Sequence, residues 1–332
     1  MSLCVVIPVW NDPEGLGRLL SQLLDMPVFD QIIISDDASD PPAAPDALGL
    51  TEDVAAALAR DRRLLWLRSP AQRGAGHARN MALDRISTSR VIFFDSDDVF
   101  LPEFSTLVAE LDQREDRQDY DFCIFRHVDS RNRAKGGFGP LGSDDGVWAG
   151  AGAMTAKPTA LPLKGATQLC RISAYPWNKI YRTAFLREAG IRCTEIPVHN
   201  DLELHWMSFL KARRILTSRR VCCEHFVEVD GKRLTNRSGR ERFQVFQALQ
   251  ALHAELERNP RRVDFLVPFA EFYTRLFGWI IDKLEPELRD GFAEKARAFL
   301  LSKVTLPQYT LIALRSPGVA ARINRLVLAA GK

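Results

Sequence analysis

The 332-residue chain has no apolar stretch that reaches the ~20 residues a membrane-spanning helix needs. Its first residues carry neither a basic run nor a cleavage signal before an apolar segment opens at Leu3. The expectation is a chain that is not secreted and does not span a membrane. The formal net charge is only +3, and no basic run alternates with aromatics, so a nucleic-acid partner is disfavoured. Six cysteines, among them the adjacent Cys222 and Cys223, show neither metal-ligand spacing nor a disulfide framework and read as buried thiols of a cytoplasmic protein. Internal repeats and low-complexity tracts are missing, as is a G-x-G-x-x-G after the first strand, which argues against a dinucleotide site. What is present, 46% hydrophobic and 26% charged residues, suits one large globular domain or two.

Over the first 126 residues apolar runs alternate with amphipathic segments. Strands are expected at 3–8, 31–35, 63–67, 91–94 and 121–125, with helices at 14–25, 51–59, 76–86 and 102–113 between them. This alternation predicts an α/β fold with a mostly parallel sheet flanked by helices. From 126 to 164 the pattern dissolves into Gly, Asp and Pro, the composition of a long substrate-facing loop. Helices are expected again at 183–189 and 200–212, a strand at 221–227, and four helices at 240–258, 263–284, 286–302 and 307–328. The chain thus divides into a sheet region, 1–238, and a helical region, 239–332. The helical region is expected to pack on the sheet region or on a second subunit of a homodimer, with at most peripheral contact with a membrane.

The chemistry concentrates where strands end. Val91-Ile92-Phe93-Phe94 runs into Asp95-Ser96-Asp97-Asp98, three carboxylates within four residues. Such a cluster suits a turn that caps a helix. Its place at the end of a buried strand favours a hard cation instead, Mg²⁺ or Mn²⁺, holding a phosphorylated ligand. The second strand ends in Ser35-Asp36-Asp37-Ala38-Ser39-Asp40, a further acidic group at the same sheet edge, where a carboxylate can accept from a base N–H or a ribose hydroxyl. In Arg73-Gly74-Ala75-Gly76-His77-Ala78-Arg79-Asn80, glycines precede a helix whose N-terminus and Arg79 would face an anion.

With Val6-Ile7-Pro8-Val9-Trp10-Asn11 before them, these segments stand in the order V-I-P-x-x-N, D-D-x-S-x-D, G-x-x-x-A-R-N and D-x-D-D. In that order the chain resembles the glycosyltransferase family 2 enzymes of the GT-A fold. The resemblance covers residues 3–238, continuing through Trp177-Asn178-Lys179-Ile180-Tyr181 and through Asn200-Asp201, where the family commonly has Glu-Asp. It implies inverting transfer from a nucleotide-diphospho-sugar, most commonly a UDP-sugar, to a hydroxyl of a glycan or lipid-linked saccharide in surface polysaccharide synthesis. It further implies that Pro8, Trp10, Asn11, Asp37, Arg79 and Asp97 bind the nucleotide-sugar. Asp95, Asp97 and Asp98 would hold Mn²⁺ or Mg²⁺, and Asp201 would be the catalytic base. Trp177 and His205 are candidates for acceptor contact, His225 and Arg233 for the diphosphate. Plainer readings stand beside these: Asp201 as a helix N-cap, Trp177 and His205 as core residues, late arginines as a solvated face. Two rivals remain. A haloacid-dehalogenase-like phosphohydrolase would use Asp95 as nucleophile and Asp97 as acid/base, although that loop normally follows the first strand. A non-catalytic sugar-nucleotide-binding scaffold would keep the site without turnover.

Overall fold

Every residue of β1 (Leu3–Val9) is buried, and its side chains alternate between two cores. Leu3, Val5, Ile7 and Val9 face one, Cys4 and Val6 the other. A strand covered on both faces reads as a continuous apolar run, which is why this one is legible in the sequence. The computed structural model describes residues 1–116, 119–226 and 237–329. Among them one sheet holds all nine strands, in the order β3-β2-β1-β4-β8-β6-β9-β5, with β7 paired to β9.

Strands β2 (Gln31–Asp36) and β4 (Arg90–Phe93) flank β1, and β3 (Leu64–Arg68) forms the edge; all four run parallel. Their carboxyl ends therefore fall on one side of the sheet. The other half mixes directions. Strand β5 (Val99–Phe100), β7 (Thr159–Ala160) and β8 (Lys179–Arg182) pair antiparallel with their neighbours, while β6 (Phe122–Asp129) and β9 (Ile215–His225) are parallel to each other. Helices α1 (Pro13–Leu24), α2 (Glu52–Arg60) and α4 (Glu103–Asp112) fill the core under Leu3 and Val5. The opposite core takes α3 (Ala75–Leu83), α8 (Thr183–Glu188) and α9 (Leu202–Lys211).

Three expectations change. Residues 126–164 are not one loop: β6 continues to Asp129, followed by α5 (Ser130–Arg133), α6 (Gly142–Gly150) and β7, before α7 (Leu163–Leu169). Helix α6 is anchored by one fully buried side chain, Trp148, too little apolar periodicity to read from sequence. Strand β9 begins at Ile215 rather than 221, because Arg219 and Arg220 break its apolar run; Arg220 pairs with Glu103 and Glu110 of α4. The last expected helix splits at Ser316, before Pro317, where a proline disfavours helical backbone in the residue ahead of it.

The helical region comprises α10 (Val245–Arg258), α11 (Arg262–Lys283), α12 (Pro286–Lys303), α13 (Leu306–Arg315) and α14 (Pro317–Ala329). Its core is continuous with the Cys4 and Val6 face of the sheet. Trp206 of α9 meets Phe269 and Phe272 of α11 at ring distances of 5.0 and 5.1 Å. Asn259 and Arg261 donate to the Leu210 carbonyl at 2.8 and 2.6 Å, satisfying a carbonyl that the end of α9 leaves open. Among the described residues no helix is long and apolar enough to cross a membrane.

Candidate functional site

After β4 the chain turns outward through Asp95, Ser96 and Asp97 to Asp98. Antiparallel pairing of β5 with β9 draws the loop against the end of β9. Ser96 Oγ donates to Asp12 Oδ2 at 2.6 Å, and Arg18 donates to the Asp97 carbonyl, which fixes the loop to the start of α1. One ligand oxygen from each of Asp95, Asp97 and Asp98 falls within 4.8 Å of the others, a spacing that suits one divalent cation. Asp98 is fully buried and accepts from the Phe226 N–H at 2.9 Å and from His225 Nδ1 at 2.9 Å. Burial pushes its carboxyl pKa up, with the nearby Asp95 charge adding to the effect. Burial also opposes charge on His225, but the carboxylates of Asp98, Asp97 and Asp95 outweigh it and hold the imidazole pKa above its ordinary value. A buried carboxylate with this much negative charge around it fits a site built for a cation.

The segment Arg73 to Asn80 turns out to be a latch. The N–H groups of Arg73 and Gly74 donate to the two oxygens of Asp37 at 2.9 and 2.6 Å, and Gly74 adopts φ +93°, which favours glycine. A Cβ on Gly76 would lie 2.3 Å from the Thr194 carbonyl oxygen, so only glycine lets residues 193–201 approach α3 this closely. Asn80 completes the contact: its Nδ2 donates to the Cys193 carbonyl and its Oδ1 accepts the Cys193 N–H, both at 2.9 Å. Arg79, 4% exposed, donates to Asn200 Oδ1 at 2.7 Å and to Asp95 Oδ1 at 2.6 Å. One guanidinium thus ties the carboxylate cluster to the residue next to Asp201.

Asp201 occupies the N-cap position of α9 without capping it: its side chain makes no bond to the helix's first N–H groups. Burial raises its pKa to about 6, against the lowering influence of Arg79 and Lys179. Lys179 is itself fully buried, donating to the Tyr175 carbonyl at 2.6 Å and to Asn178 Oδ1 at 2.7 Å, and burial lowers its pKa to about 7. Before Asp201, His199 adopts a left-handed φ of +64°. Arg242 donates to its Nε2 at 3.3 Å, and the same guanidinium lies 4.8 Å over the ring of Trp279, an indole 42% exposed at the end of α11. Among the described residues the non-glycine positions with positive φ are Asn11, Ala38 and His199, each in a loop at this sheet edge. Backbone strain of this kind clusters where function over-determines geometry.

The structure redistributes several expected roles. Trp177 is 1% exposed, stacked on Tyr175 at 4.3 Å and edged by His127 and His225, so it is a core residue and no acceptor platform. His205 is likewise buried, with Nε2 on the Cys170 carbonyl at 2.9 Å, and burial keeps it neutral. Arg79 is taken up by Asp95 and Asn200 rather than turned toward a free anion. Asp37, 2% exposed, is occupied by the 73–74 turn, and Pro8 is buried within β1. His225 is held by Asp98, which sets it behind the carboxylates. Arg233 lies outside the described residues. Trp10, 39% exposed, stands at the end of β1, and Asn11 stitches two loops together, donating its N–H to Ser39 Oγ at 2.9 Å and accepting from the Asp40 N–H at 2.7 Å. Sequence reasoning assigned no role to Lys179 or Trp279. A lysine inside the apolar run from Trp177 to Tyr181 was the one signal for the first; nothing local marks the second. A cleft of about 480 Å³ lies elsewhere, between α7, α11 and the α13–α14 joint.

These features define a GT-A-type protein: a half-parallel sheet with acidic loops at the carboxyl ends of its strands. Residues 4–144 match the sequence profile of Glycosyl transferase family 2. No curated protein sequence matches the chain. Among solved structures, S. aureus TarS 1–349 in complex with UDP-GlcNAc superposes with a TM-score of 0.69 over 98% of this chain and 90% of that one, at 17% identity. The UDP complex of the same protein gives 0.66, at 17% identity, over 98% and 90% of the two chains. Mannosyltransferase PcManGT from Pyrobaculum calidifontis, in complex with GDP-Man and Mn²⁺, gives 0.51 at 16% identity, over 99% and 86%. These likenesses establish the fold. In it the carboxylate loop follows the fourth strand, not the first, where the phosphohydrolase alternative would have it.

Proposed function

We propose that the chain is an inverting glycosyltransferase that moves a sugar from a nucleoside-diphospho-sugar to a hydroxyl of a glycan or lipid-linked saccharide, as in surface polysaccharide synthesis. The observation that carries this reading is Asp201, a base with its pKa near 6, latched through Asn200 and Arg79 to the carboxylate cluster. A base so poised is ionised at neutral pH yet still able to take a proton from the acceptor hydroxyl. Asp95, Asp97 and Asp98 would hold Mn²⁺ or Mg²⁺. When bound, the cation supplies positive charge against the diphosphate leaving group. His225 keeps Asp98 in place, and Lys179 favours the ionised form of Asp201. Trp10 offers an exposed ring for the nucleobase, and the turn held by Asp37 lines the same edge. The acceptor enters beside His199, with the Trp279 indole as an apolar face for a sugar ring. UDP leads as the nucleotide because the better-superposing neighbour binds UDP-GlcNAc, with GDP the alternative from the mannosyltransferase.

The test is thermal unfolding of the intact chain with UDP, GDP and TDP, each with and without Mn²⁺. A ligand that binds only the folded state at a hundredfold its Kd adds ~2.7 kcal/mol. The expected result is a shift with one diphosphate that requires the metal and disappears in Asp97→Asn and Asp98→Asn. No shift with any nucleotide would overturn the reading.

A further inference from the structure

Residues 295–332 contain seven Lys and Arg and no Asp or Glu, so the net +3 of the chain splits into +7 there and −4 over residues 1–294. The same stretch displays leucines that a packed helix would hide. On α13, Leu306 and Leu314 are 77% and 78% exposed and share one face with the exposed Thr310, at four-residue spacing, while Ile312 is buried. Helix α14 folds back along α13, as the 2.9 Å bond from the Tyr309 hydroxyl to Asn324 Oδ1 records. It buries Val319 and Ile323 and exposes Ala321, Arg325 and Leu328, the last at 78%. The end of α12 adds Leu301, and beside Leu306 an apolar cleft of about 150 Å³ opens between Val263, Leu266, Pro307 and Leu311. Single exposed leucines are ordinary; four of them within one all-cationic stretch are not.

We propose that the α13–α14 hairpin, with the adjoining end of α12, is a face that docks on an anionic lipid bilayer. Its cations are attracted to headgroup phosphates, and its leucines enter the boundary with the acyl chains. Two other occupants fit less well. A second copy meeting the same face across a two-fold axis would set its exposed cations, Arg315 and Arg325, against their own copies, while Arg297 and Arg322 are paired with Glu294 and Glu271. A nucleic acid would leave the leucines in water. The inference does not depend on which sugar, if any, the carboxylate site transfers.

Co-sedimentation of the intact chain with phosphatidylcholine vesicles, alone or mixed with phosphatidylglycerol, tests it at low and high salt. Each cation near an anionic surface contributes on the order of 1 kcal/mol, so the mixed vesicles should retain at least about tenfold more protein, and salt should release it. Leu306→Ser with Leu314→Ser, both at exposed positions, should cut that binding roughly tenfold while leaving the thermal unfolding midpoint unchanged. Equal retention by both vesicle types, retention by neither, or full binding by the leucine variant would each overturn the proposal. So would a leucine-dependent dimer by light scattering that forms without vesicles.

Discussion

Asp201 stands at the head of a helix it does not cap, and its surroundings explain the raised pKa better than any structural duty does. Asp201→Asn is expected to lower turnover by about 10²- to 10⁴-fold with nucleotide affinity unchanged, measured by initial rates and calorimetric titration. In the wild type, kcat/KM should fall as pH drops through about 6, because protonation removes the base. Stability should run the other way. The folded pKa lies above the ordinary 3.8, so stability is lost as pH rises from about 4 to 6. At pH 8, without metal, Asp201→Asn should therefore unfold later, by on the order of 1–3 kcal/mol. Lys179→Met should move the acid limb of the rate profile upward, since the buried ammonium favours the Asp201 carboxylate. At this scale the sequence marks Asp201 and the three clustered aspartates plainly, because each sits at a strand or helix end. It misleads at Arg79: an arginine one turn into a glycine-led helix looks the same whether it faces a ligand or, as here, partners 16 and 121 positions away.

The element that most constrains the site is the contact between α3 and residues 193–201. Gly76→Ala places a methyl against the Thr194 carbonyl, a backbone atom that cannot swing aside. The expected cost is about 1–3 kcal/mol in urea unfolding, together with a fall in kcat larger than any change in nucleotide affinity, because the base is displaced and the donor edge is not. Ser at 76 should behave alike. Strands β1, β2 and β4 were readable because burial on both faces leaves an uninterrupted apolar run. Strand β9 was not, since Arg219 and Arg220 reach out of it to α4 and solvent. Helix α6 was hidden for the opposite reason, being short and rich in glycine, with Trp148 its one large buried apolar side chain and Asp144 and Asp145 bonded to Ser173 and Arg126.

In the whole molecule, the helical region completes the core on one face of the sheet, so the division proposed at residue 238 separates regions that share an interior. Trp206 joins the two regions, since it belongs to α9 yet packs on α11. Trp206→Ala should cost about 3–5 kcal/mol in a single cooperative transition for the intact chain, followed by near-ultraviolet circular dichroism. Two separate transitions would instead mean that the helical region folds by itself. Periodicity in the sequence announced these helices but not their docking, which is set by a tryptophan, an asparagine and an arginine meeting residues some 50 or 60 positions away.

The Arg79 bridge couples the carboxylate cluster to the segment that carries Asp201. Asp95, if it held a cation, would be shared between that ion and Arg79, whose remaining anchors would be Asn200 and the field of Asp201. On the proposed reading, occupancy of the carboxylate cluster would alter the setting of Asp201, and by reciprocity a ligand beside Asp201 would alter affinity for the cation by the same factor. Affinity for Mn²⁺ and affinity for the acceptor, measured by titration of each in the presence of the other, should accordingly shift together, and Arg79→Lys should weaken that linkage.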